Sequence, residues 1–293
     1  MNLTRTNLLL PAFIFVWMLS ACHTTEPHSH AVLVPHPLSS EKGNGSFRFT
    51  ENTVLAIPDD HERRIAENFA ALFTRSAGFT PSIKTGQEGD IVFTPDSTLK
   101  AEAYTLRVTP ERIDITAADA RGYFYALQSL RLMLSPTLEG NARTAEEWAI
   151  PAITIQDEPR FGYRGYMLDV ARYFLPKEDV LRLIDCIALL KINRLHLHLT
   201  DDNGWRLEIK KYPRLTEVGA WRVDRGNLTF PERRNPQPGE PTPVGGFYTQ
   251  EDMKEIIRYA AERQIEIIPE IDIPAHSNAA LASYPEYACP TVK

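Results

Sequence analysis

A chain of 293 residues has room for roughly two domains. Its 43% hydrophobic and 24% charged residues are those of an ordinary globular protein. The net charge of −6 comes with acids and bases interspersed and no basic stripe. That argues against nucleic-acid binding, because neutralising phosphates takes clustered Lys and Arg.

At the N-terminus, Arg5 precedes an apolar stretch from Leu8 to Leu19, too short and too poorly flanked for a membrane span. It runs into Leu19-Ser20-Ala21-Cys22, which looks like a bacterial lipobox, cut just before the cysteine that then carries lipid. The expectation is a lipoprotein signal peptide over 1–21, lipidation at Cys22 and a polar tether over 22–40. Lipid chains would anchor the protein in the bacterial cell envelope, at the outer membrane or its periplasmic face, without spanning it. The competing expectation is an ordinary signal peptide with an incidental cysteine.

Residues 41–153 read as a small α+β domain. Short apolar or alternating runs at 53–57, 91–93, 104–108 and 113–116 predict strands. Residues 62–77 place Ile65, Phe69, Leu72 and Phe73 on one helical face, with Gly78 as the cap. A second helix over 120–134 carries Tyr123, Leu127, Leu130 and Leu134. The pattern implies helices on one face of a mainly antiparallel sheet, in a supporting role.

Residues 136–160 read as a linker with a strand-like stretch at 150–155. From there strands and helices alternate: strand 166–170, helix 177–192 opened by Pro176, strand 194–199. A loop rich in Pro, Gly and Arg follows over 211–247. Helix 249–263 has a Thr-x-x-Asp opening, and strand 265–271 ends the series. The fold class is α/β, with the α+β domain followed by a (β/α)8 TIM barrel over 160–293. A whole barrel takes around 250 residues, so this one is expected to stop after about three βα units. Cys186 falls in the periodic helix beside Val180, Leu183, Ile184 and Ile187, so a buried thiol is expected. An exported compartment permits, but does not establish, a disulfide to Cys289.

In such barrels chemistry sits where strands finish. Arg172 follows the first strand. Its guanidinium suits two adjacent sugar hydroxyls or a carboxylate, or else an ion pair with Asp169. Asp201 and Asp202 follow the second strand and serve either acid–base work or the turn chemistry of Asp-Asp-Asn-Gly. His196 and His198 share a strand face and could hold a metal or pack inside the barrel. Glu270, Asp272 and His276 end the third strand, where the histidine could exchange a proton with a carboxylate or join a supporting network.

Four ordered segments carry a resemblance. They are Arg164-Gly165 through Arg172, His196 through Arg206, Gly245 through Asp252, and Pro269 through His276. Together they closely resemble the family 20 glycoside hydrolases, the β-N-acetylhexosaminidases. Glu102-Ala103-Tyr104 and Gly122 through Ala126 look like the α+β domain that precedes the barrel in that family.

The resemblance implies an exo-acting enzyme that removes terminal β-linked GlcNAc or GalNAc from glycans with retention and without a cofactor. The substrate's own acetamido oxygen attacks the anomeric carbon there, outside the usual two-carboxylate scheme. It also implies that Arg172 grips the terminal sugar, Asp201 and His276 support the catalytic Glu, and Asp272 organises the site floor. Where the family commonly has Gly before the histidine, this sequence has Ala275.

The family's general acid Glu and the Asp that holds the acetamido nitrogen follow a Gly-Gly at the fourth strand. The sole Asp-Glu dipeptide here is Asp157-Glu158, ahead of the barrel. The chain is therefore expected to be a fragment, inactive alone. The alternatives are a carbohydrate-binding lipoprotein without turnover, and a metal-dependent hydrolase built on His196 and His198.

Overall fold

The computed structural model describes residues 33–226 and 237–290. The signal peptide, Cys22 and the first part of the tether lie outside the described residues, as does part of the 211–247 loop. Among the described residues no helix is long and apolar enough to cross a membrane.

The first layer is a seven-stranded sheet in the order β1-β7-β5-β6-β4-β2-β3. Its strands are β1 (Ser39–Arg48), β2 (Val54–Ile57), β3 (Ser82–Thr85), β4 (Ile91–Pro95), β5 (Tyr104–Val108), β6 (Ile113–Ala117) and β7 (Ala149–Asp157). The expected antiparallel character holds from β1 to β6. From β6 across to β3 the strands pair in parallel, so the sheet is mixed. A parallel pair needs a crossover, and α1 (Arg63–Ser76) supplies it between β2 and β3.

The two strands of this sheet that the sequence reading misses are its edges, β1 and β3. Their residues are mostly exposed and polar, which protects an edge and erases the apolar signal. The stretch expected to be linker is also structural. β7 pairs with β1 on one side and β5 on the other, so the sheet occupies 39–157, beyond 41–153 at both ends.

α1 buries Ile65, Phe69 and Phe73 as its periodicity requires. Gly78 then takes φ +77 and donates its N–H to the Phe73 carbonyl at 3.0 Å. α2 (Ala120–Met133) is capped by Asp119 and is buried without interruption from Gly122 to Leu130. It lies between the sheet and the first barrel helix, so it has no solvent face there.

The second layer is the start of a barrel. Strands β8 (Gly165–Asp169), β9 (Arg194–His198) and β14 (Glu266–Glu270) are parallel, in the order β14-β9-β8. Helix α3 (Lys177–Leu189) follows β8 and α5 (Gln250–Ala261) precedes β14. Between β9 and α5 lie the hairpin β10 (Thr200–Asp201) and β11 (Gly204–Trp205), helix α4 (Arg214–Glu217), and the pair β12 (Trp221–Arg222) and β13 (Val244–Gly245). Helix α6 (Asn278–Ser283) follows β14.

In β9, Leu195 and Leu197 are fully buried against the helices, as is Leu199 just beyond it, while His196 and His198 face the other way. α3 buries Val180, Ile184 and Ile187, but Cys186 is an exposed free thiol. Two residues past Ile184 is a turn of about 200°, which carries the side chain off the buried stripe.

The two layers share one continuous hydrophobic core, sealed at the barrel's lower end by a polar network. Lys191 Nζ donates to Asp157 Oδ2 at 2.7 Å and to the Tyr104 hydroxyl at 2.8 Å. Arg164 reaches Glu102 at 2.7 Å and Tyr125 at 3.0 Å. Burial pulls the Lys191 ammonium below its usual range despite the Asp157 charge. Asp157-Glu158, the lone Asp-Glu pair, thus has a structural partner in Lys191.

Candidate active site

Parallel register puts Asp169, His198 and Glu270 abreast at the carboxyl ends of the three strands, with Met167, His196 and Ile268 one layer below. His198 is the hub of that upper layer, its side chain only 7% exposed. Its Nε2 lies 3.0 Å from Asp201 Oδ2, and its Nδ1 lies 3.0 Å from Glu270 Oε2. His196 Nε2 meets the same Glu270 oxygen at 2.6 Å.

Burial works against the His198 imidazolium, but hydrogen bonds to Asp201 and Glu270 outweigh it and raise its pKa. The hydrogen bond from His198 holds the Glu270 carboxyl below its ordinary value.

Arg172 stands above this layer. It meets Asp169 Oδ2 at 2.5 Å and Asp201 Oδ2 at 2.7 Å, and its side chain is still 49% exposed. The ion pair with Asp169 that the sequence allowed is therefore present, together with a second carboxylate. Asp169 also accepts the backbone N–H groups of Ala171 and Arg172, at 3.0 and 2.9 Å. Burial raises the Asp169 pKa, yet the Arg172 hydrogen bonds prevail and lower it overall. The Asp169 hydrogen bond likewise raises the Arg172 pKa.

Asp201 belongs to both readings of its motif. It closes the β10–β11 hairpin opposite Gly204, and its buried carboxylate points into the site. His276 Nδ1 hydrogen-bonds Asp202 Oδ2 at 3.3 Å and stands 3.6 Å from Asp201 Oδ1, so its nearer partner is Asp202, beside the expected Asp201. The left-handed backbone of this loop falls on His276, at φ +48, and not on Ala275. Asp272 lies just past β14, its N–H donating to Thr200 Oγ1 at 2.9 Å.

His198, Glu270 and Asp272 offer ligand atoms within 4.8 Å of one another, a spacing a metal could use. His196 does not belong to that group, so the His196–His198 pair expected to hold a metal is not the set that comes together among the described residues.

Sequence reasoning gave Arg206 no role. It is fully buried, and its guanidinium meets carbonyls of Val170 at 3.0 Å, Ala171 at 2.7 Å, Ala220 at 2.5 Å and Gly246 at 3.1 Å. Burial pushes its pKa down to about 10. It ties the loop that carries Arg172 to the hairpin that carries Asp201. A Cβ at Gly204 would sit 2.2 Å from this guanidinium, and one at Gly246 would sit 2.3 Å from the Phe174 ring. The signal was present in the Gly-Trp-Arg and Gly-Gly-Phe spacing, but only the fold makes those segments neighbours.

The sequence model described as "Glycosyl hydrolase family 20, catalytic domain" matches residues 161–293, and its "domain 2" matches residues 30–158. The chain belongs to glycoside hydrolase family 20. A beta-hexosaminidase of Porphyromonas gingivalis is 39% identical over 262 residues, which is 88% of this chain and 32% of that protein. One from Vibrio furnissii is 40% identical, covering 87% of this chain and 39% of the relative. The chain thus spans about a third of the length of these curated relatives.

Among solved structures, a mutant Streptomyces plicatus beta-hexosaminidase in complex with product GlcNAc superposes with a TM-score of 0.78 at 37% identity, over 88% of this chain and 49% of that one. A family 20 exo-β-N-acetylglucosaminidase from Vibrio harveyi, in complex with N-acetylglucosamine, gives 0.75 at 38% identity, over 88% and 38%. The family 20 architecture, an N-terminal α+β domain leading into a catalytic barrel, is the one described above.

Proposed function

We propose that this chain is the sugar-gripping portion of an exo-β-N-acetylhexosaminidase that removes terminal β-linked GlcNAc or GalNAc from glycans. The observation that carries the reading is Arg172, held by Asp169 and Asp201 on one side and half open to solvent at the strand ends. A guanidinium so held presents its remaining N–H groups in a fixed direction, as recognition of adjacent sugar hydroxyls requires. Asp201 and His276 support the proton-donating Glu, and Asp272 shapes the floor. The acetamido oxygen of the substrate is the nucleophile.

The acid Glu and the acetamido-holding Asp have no motif counterpart within these 293 residues. Cys22 carries lipid and anchors the protein in the cell envelope, a reading supported by Leu19-Ser20-Ala21-Cys22.

The full-length gene product is the material for the test, with p-nitrophenyl N-acetyl-β-glucosaminide as substrate. Hydrolysis that releases the β-anomer first is expected. Binding of N-acetylglucosamine without hydrolysis would favour a lectin-like lipoprotein instead, and neither would sink both readings. Labelled palmitate incorporation that is lost in Cys22→Ser tests the anchor.

A further inference from the structure

We propose that His198 is a positioning residue that acts as a doubly protonated imidazolium, its two N–H groups binding Asp201 and Glu270 so that Asp201 holds Arg172 toward the sugar. This rests on the glycosidase reading above and deepens it. Both ring nitrogens face carboxylate oxygens at 3.0 Å. A neutral imidazole has one N–H and one lone pair, so one carboxylate would face a lone pair. With both carboxylates ionised, only the imidazolium satisfies both contacts.

The surroundings favour that charge. Asp169 on β8 and Glu270 on β14 stand abreast of His198, and Asp272 follows just beyond β14. Asp201 approaches from the hairpin, with Arg172 on its far side and His276 near its other oxygen. His196, two residues back on the same face, shares Glu270. Carboxylates therefore outnumber the fixed cation Arg172 around the ring.

Asp201 Oδ2 is shared between His198 and Arg172. When the ring loses its proton, Arg172 becomes the main cation for a carboxylate that is 2% exposed. The guanidinium is then drawn inward, away from the sugar. Sugar affinity should fall as pH rises through the His198 titration.

The test uses the full-length protein labelled with 15N in its histidine rings, titrated by NMR with and without N-acetylglucosamine. Both His198 nitrogens are expected to be protonated at neutral pH, with a midpoint above that of a free histidine. The N-acetylglucosamine dissociation constant should rise through the same midpoint. His198→Gln, uncharged, should abolish that pH step and weaken binding at neutral pH by about 10-fold, the scale of one charge-assisted hydrogen bond. Should His198→Gln misfold, Asp201→Asn provides a second arm and should lower the midpoint. A neutral ring beside normal sugar binding overturns the imidazolium and leaves the glycosidase reading standing. No sugar binding at any pH overturns that reading and the positioning role with it.

Discussion

Arg172 shows how one side chain can be both structural and ready for a ligand. Two carboxylates fix its orientation, and half its surface stays open. Arg172→Ala should raise the KM for a terminal hexosaminide about 10- to 100-fold, the range for losing hydrogen bonds to a charged group. Steady-state kinetics checks this, with Arg172→Lys as control, since Lys keeps the charge but not the fork. Unchanged KM in both variants would remove Arg172 from the sugar site. Arg206 is a different kind of residue. Its guanidinium donates to backbone carbonyls and lies 5.8 Å from the Phe174 ring centroid, so Arg206→Met should strand those acceptors and cost about 3 kcal/mol of stability or more. Denaturant unfolding measures that loss, and a variant as stable as the parent would show that the loops hold together without it.

Among the elements, α3 and α5 are joined by charge as well as by packing. Lys177 Nζ meets Asp252 Oδ1 at 2.8 Å and Glu255 Oε2 at 2.7 Å. Asp252 also closes the capping box with Thr249. The Lys177 hydrogen bond is the largest contribution that brings the Asp252 pKa down to about 2. An unfolded Asp titrates near 3.9, so the folded value is the depressed one. The stability it confers is therefore full above about pH 4 and is lost as pH falls toward about 2. Asp252→Asn should flatten that part of the acid-unfolding curve. The expected loss at neutral pH is within about 1 kcal/mol, because solvent screens a pair this exposed. An unaltered acid limb would mean that the Asp252 carboxyl titrates alike in the folded and unfolded chain and that the pair adds no acid-sensitive stability.

At the scale of the whole molecule, the junction between the layers decides how they unfold. Lys191 and Asp157 are both largely buried and meet at 2.7 Å beneath the barrel. Lys191→Met leaves Asp157 without its cation, a change worth about 3–5 kcal/mol when a buried pair is broken on one side. Adding Asp157→Asn should recover part of the loss, because the stranded charge is then gone. With one core running through both layers, calorimetry should show a single transition in every variant. Two separated transitions would mean that the layers are independent.

The barrel strands and the helices were legible because each has a one-sided burial pattern. Leu195, Leu197 and Leu199 alternate with His196 and His198, and Thr249 with Asp252 marks a helix start. Ordered motifs around Arg172, Asp201 and His276 also pointed to the family and to the strand ends as the site. Other features were not legible. Edge strands β1 and β3 carry polar residues because they have a neighbour on one side only. Cys186 looked buried because its neighbours are apolar, but its angle on α3 turns it to solvent.

The sequence by itself determined the α/β class, the order of the main helices and barrel strands, and the residues that reach the strand ends. Those depend on local periodicity, which a single chain displays. Only the tertiary structure decided that β7 belongs to the sheet, that Lys191 partners Asp157, and that His198 stands between Asp201 and Glu270. Those contacts depend on strand register and on segments remote in the chain meeting at one point, which local pattern does not encode.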